Sequence, residues 1–233
     1  MKQKRKKSNT ALKVFLFLFS LGIIPISVSL LLNIPVLFSS YSSITREMLL
    51  SIAGFILFMI VFFLFGPPVK SYVLEHELSH VLFAVISGVK VKKLSLRGHE
   101  GYVKTQKVNL LIALAPYAFP LYTFFIIGLY KLLRVTTSSA LLFGAFYFLC
   151  GASLAFHVLS TVHYLQIEQP DLSRYGYFSS LIFIFSWSII ILVLIFALIF
   201  ERARLFDYFR LSFNHAINIY GNIIIFIKSI ASR

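Results

Sequence analysis

Long apolar runs separated by short polar or basic links organise this chain. A membrane-crossing helix needs about 20 apolar residues, and runs of that kind lie at 12–38, 48–66, 108–133, 138–165 and 177–200. A sixth apolar segment, 71–89, differs from these because its first half carries Glu75, His76, Glu77 and His80. Lipid would not tolerate them, so that face must meet protein, water or a metal. Residues 90–104 are basic and alternate in part around a glycine-bounded turn, which fits a short β-hairpin as well as a solvated basic loop. Pro116 and Pro120 interrupt the run at 108–133 and predict a kinked or opened helix. In the tail, 201–233, Arg202, Arg204 and Arg210 mix with Phe206, Phe209, Ile217 and Ile223, the pattern of an interfacial amphipathic helix or, as the alternative, a short seventh span. No internal repeat appears. The expected fold class is therefore an all-α polytopic membrane protein, a bundle of about six membrane helices with a small β-hairpin after segment 71–89.

Composition agrees with lipid as the solvent, since 59% of the 233 residues are hydrophobic and only 13% charged. The single cysteine, Cys150, lies in an apolar run, excludes an intramolecular disulfide framework and reads as a packing residue. A net charge of +14 raises nucleic acid as a partner, but the basic residues lie between apolar spans with no globular domain to carry them. Anionic lipid headgroups are the simpler partner. The basic start, Lys2 to Lys7, precedes an apolar run from about Ala11 to about Phe38 without a clear cleavage site. That run is too long for a signal-peptide core and reads as a first span with a cytoplasmic amino end.

Chemistry concentrates in His76-Glu77-Leu78-Ser79-His80. On a helix, positions i and i+4 share a face, so His76 and His80 can offer imidazole nitrogens to one ion. Glu77, one residue after the first histidine, stands beside that ion as a general base. Zinc would supply the Lewis acid and lower the pKa of a bound water to about 7. A catalytic zinc takes three protein ligands, and the chain offers few candidates for the third. Asp171 lies in a link between two spans, whereas His157 and His163 sit on the preceding span, where a histidine often serves packing instead. Charge counting does not orient the chain. Geometry is more demanding: for Asp171 to meet His76 and His80, segment 71–89 must return or insert only partway.

These residues resemble the site-2-protease-like intramembrane zinc metalloproteases. His76-Glu77-Leu78-Ser79-His80, followed by Val81-Leu82-Phe83-Ala84 and Gly88, is similar to that family's active-site helix, and Gln169-Pro170-Asp171-Leu172 falls where it carries an aspartate motif. The usual Leu-Asp-Gly is replaced here, with Leu172 after the aspartate and the nearest glycine at Gly176. The resemblance covers roughly residues 70–200. It implies zinc held by His76, His80 and Asp171, Glu77 as base, a membrane-embedded protein substrate, and a hairpin at 90–107 able to pair with a substrate strand. The expected organisation is a basic amino end with two spans over 1–66, a metalloprotease-like core over 67–200 and the amphipathic tail over 201–233. Two other functions fit the same residues: a structural or inactive zinc protein that binds membrane partners, and a proton or cation path through His76, Glu77, His80, His157 and His163. The latter lacks the paired broken helices of inverted repeats.

Overall fold

A computed structural model describes residues 10–137, 139–167 and 169–232. The basic stretch expected to mark a cytoplasmic amino end lies outside these residues. Ten helices and one hairpin are described: α1 (Thr10–Leu32), α2 (Ile34–Leu37), α3 (Arg46–Phe65), α4 (Val69–Ile86), β1 (Val91–Arg97), β2 (Glu100–Thr105), α5 (Leu110–Ala118), α6 (Leu121–Leu133), α7 (Ala140–Leu165), α8 (Pro170–Tyr175), α9 (Tyr177–Ile199) and α10 (Leu205–Ala231). Four of them, α1, α3, α7 and α9, are long and apolar enough to cross a membrane. The bent pair α5 and α6 makes five if it is one span. Large apolar side chains face outward along these helices, Phe63, Leu64 and Phe65 among them, and a surface of that kind belongs in lipid. The described residues are mostly helical, and these apolar helices fit a helical membrane protein. The expected run at 12–38 is divided at Asn33, and α4 is not among the helices that qualify as spans.

Helix boundaries follow local chemistry. Thr45 Oγ1 caps α3 by accepting from the Met48 N–H, and Asn109 and Ser139 cap α5 and α7 in the same way. Gly66, with a φ of 80°, closes α3 ahead of Pro67 and Pro68. The segment after α4 is a hairpin and not a loop: β1 and β2 pair antiparallel from Arg97↔Glu100 outward, with an irregularity between Val91 and Lys93. Its two-residue turn puts Gly98 first at a φ of 59° and a non-glycine second, the arrangement of a type II′ turn.

The chain forms two compact units. One comprises residues 1–42 and 173–233. Within it Leu30, Leu37, Ile189, Val193 and Tyr208 form a core, and the Tyr208 hydroxyl donates to the Leu30 carbonyl at 2.9 Å. The tail helix α10 packs on α1 through a stripe of Tyr208, Ser212 and Ala216, spaced one turn apart.

The other unit, residues 43–172, carries the polar chemistry. Its α3 and α7 meet backbone to backbone. A Cβ on Gly54 would overlap the Phe148 carbonyl, and one on Gly151 the Ser51 carbonyl, so small residues set this approach. Thr123 and Ser153 join α6 to α7 through their hydroxyls at 2.9 Å. Both α5 and the hairpin pack against α4, with α6 and α7 completing the unit.

Candidate metal centre

Helix α4 presents Tyr72, His76 and His80 at successive turns of one face. The histidine Nε2 atoms converge on Asp171, which α8 supplies near its start. The Asp171 Oδ2 lies 3.5 Å from His80 Nε2 and 3.9 Å from His76 Nε2. One ligand atom from each of the three falls within 4.8 Å of the others, and no other such group occurs among the described residues. Tetrahedral coordination with bonds of about 2.0–2.1 Å separates neighbouring ligand atoms by roughly 3.3–3.4 Å. The two distances to Asp171 approach that value, so the two imidazoles and the carboxylate could hold a single metal ion.

Orientation of His80 comes from α5. Its Nδ1 lies 2.7 Å from the Ile112 carbonyl, and a carbonyl only accepts, so Nδ1 carries a proton and, in the neutral imidazole, Nε2 keeps its lone pair for the site. Such a partner behind a ligating imidazole fixes its tautomer and ring angle. His76 is held differently. Its ring lies edge-on to Tyr117, with centroids 5.2 Å apart, and its buried Nδ1 has no hydrogen-bond partner. The Tyr117 hydroxyl donates to Gln169 Oε1 at 3.4 Å, tying the wall of the site to the segment that leads into Asp171.

Glu77 points toward the hairpin, off the metal-ligand face. It is 7% exposed, and the Val103 main-chain N–H donates to its carboxylate. Two residues along β2, Gly101 packs directly on it: a Cβ there would stand 2.6 Å from Glu77 Cγ and 3.1 Å from Oε1. The two backbone groups of a strand residue point to the same side. Because Val103 directs its N–H to Glu77, Glu77 occupies the edge of β2 that β1 leaves free. Elsewhere on the hairpin, the Lys93 ammonium hydrogen-bonds the Tyr102 phenol and holds it below its ordinary range.

The rival third ligands lie elsewhere. His157 Nδ1 pairs with Glu75 Oε2 at 3.3 Å, and both residues are buried. Glu75 also accepts the Tyr122 N–H through Oε1 at 3.3 Å. His163 packs its ring near Phe62 and Tyr164. Neither histidine joins the group formed by His76, His80 and Asp171.

Several contributors were not evident in the sequence. The roles of Ile112, Val103 and Gly101 rest on backbone contacts that leave little trace in residue type. Tyr72 did leave a trace, since it precedes His76 by four positions. Comparison with known protein families, with curated proteins and with solved structures finds no match for this chain.

Proposed function

We propose that this protein is a zinc-dependent intramembrane peptidase that hydrolyses peptide bonds of membrane-embedded substrates. The observation that carries the reading is the convergence of His76 Nε2, His80 Nε2 and Asp171 Oδ2, with Glu77 one position along the same helix. Two imidazoles and one carboxylate are a donor set of catalytic zinc sites, which keep a position open for water or substrate. When bound, zinc would act as a Lewis acid toward the scissile carbonyl and acidify a water. Glu77 would take a proton from the attacking water as its oxygen bonds to the carbonyl carbon. It would then return that proton to the amine nitrogen as the C–N bond breaks. Val103 would hold the carboxylate in place through this exchange. The setting among apolar helices supports a membrane-embedded substrate, and the amino end is proposed to be cytoplasmic.

A structural metal site is the second reading, favoured by the engagement of Glu77 with the hairpin and by Leu172 standing where the resembling family has glycine. One substitution separates the two. Glu77→Gln should retain stoichiometric zinc in the purified protein and lose cleavage of single-span model substrates by at least about 100-fold, the usual scale of a general base. Turnover undiminished in that variant would exclude the peptidase mechanism.

A further inference from the structure

The bent pair α5 and α6 carries backbone groups that its own helices cannot pair, and α4 pairs them. In a continuous helix the carbonyl of residue 112 accepts from the N–H of residue 116. Residue 116 is proline and has no N–H to give. The Ile112 carbonyl, on a residue only 2% exposed, instead accepts from His80 Nδ1.

Past the break, α6 begins at Leu121 without a side-chain cap of its own. Its Tyr122 N–H donates to Glu75, a carboxylate 1% exposed whose other oxygen meets His157. Thus α4 uses His80 on one side of the break and Glu75 on the other.

Pro116 is not what bends the segment. Helix α5 runs through it to Ala118, and the 74° bend lies between Ala118 and Leu121. A proline that leaves the helix unbroken here has one remaining effect on hydrogen bonding, the withdrawal of an amide from Ile112.

We propose that Pro116 is a positioning residue for the metal site: by giving Ile112 no amide partner, it reserves that carbonyl for His80 and so aims His80 Nε2 at Asp171. Glu75 serves as the second clamp, holding α4 in register against α6. The proposal rests on His76, His80 and Asp171 binding a metal and does not require peptidase activity.

Pro116→Ala restores the amide and lets the Ile112 carbonyl return to its helix. Because alanine favours helix, the substitution does not threaten α5 itself. Zinc titration of the purified full-length protein in detergent should show a 10- to 100-fold loss of affinity in this variant, the usual cost of removing a partner behind a ligating histidine. Pro25→Ala, the same change inside α1, should leave affinity unchanged. Nitrogen-15 NMR of histidine-labelled, zinc-free protein gives a reading independent of metal: the slowly exchanging His80 Nδ1 proton should be present in wild type and lost in Pro116→Ala. Wild-type zinc affinity in Pro116→Ala would overturn the positioning role, as would a His80 signal that the substitution does not alter. Absence of zinc binding by wild type itself would bring down the metal reading, and the His80 signal would still decide the role of Pro116.

Discussion

His76 and His80 are paired by helix geometry alone, but what makes them candidate ligands is the third group beside them. Asp171 reaches both Nε2 atoms, whereas His157 is engaged by Glu75 and His163 packs among aromatic rings. Asp171→Ala should therefore lower zinc affinity by at least about 10-fold, counting only the loss known for a weaker, indirect partner. His163→Ala should leave affinity within about 2-fold, because His163 takes no part in the group and substitutions away from such features usually shift free energies by no more than about 0.5 kcal/mol. Zinc competition assays on both variants would check this, and equal losses in the two would reject the assignment of Asp171. The residue scale also shows a limit of reading by type. Glu75 and Glu77 lie two positions apart on one helix, yet one is locked between α6 and α7 and the other meets the hairpin.

Among the elements, the hairpin and the bent pair depart furthest from what periodicity alone conveys. Residues 90–104 fit either a hairpin or a solvated loop, because a two-stranded ribbon with charged faces has only weak alternation. Its pairing is settled by docking on α4, where Gly101 permits an approach that any side chain would block. Gly101→Ala would press a methyl group into Glu77 and Val73 and displace the Glu77 carboxylate from the Val103 amide. The expected outcome is a fall in kcat of about 10- to 100-fold with zinc content unchanged, since a small misplacement of a reacting group can cost about 100-fold. Metal analysis beside single-span substrate cleavage would measure both, and unaltered kcat would show that the hairpin does not position the base. The kink expected from Pro116 and Pro120 is present, but it falls at Phe119 and Pro120, leaving Pro116 inside a helix.

On the scale of the whole molecule, the candidate ligands come from distant parts of one compact unit, His76 and His80 near its beginning and Asp171 near its end. A metal joining them would close a loop on the order of ninety residues, which would link its binding to the folding of that unit. At free zinc about 100 times the dissociation constant, that linkage would contribute about 2.7 kcal/mol. Chelation should lower the thermal midpoint measured in detergent, readdition of zinc should restore it, and the double variant His76→Ala/His80→Ala should show no response. An unchanged midpoint in wild type would mean that the three residues do not hold a metal in the folded protein. Unit 1, which joins residues 1–42 to 173–233, contains none of these ligands.

What the sequence determined by itself was everything that depends on near neighbours along the chain. Runs of apolar residues define the helices that lipid can accept, and the four-residue spacing of His76 and His80 puts two imidazoles on one helical face, because both properties arise within a few turns. The tertiary structure alone decided which distant carboxylate lies beside the two histidines, that the basic segment pairs as a hairpin, and that the Ile112 carbonyl, four residues before Pro116, meets His80 Nδ1. Those outcomes depend on backbone groups and side chains brought together across the fold, and a hydrogen bond to a main-chain carbonyl or amide is indifferent to the residue that supplies it.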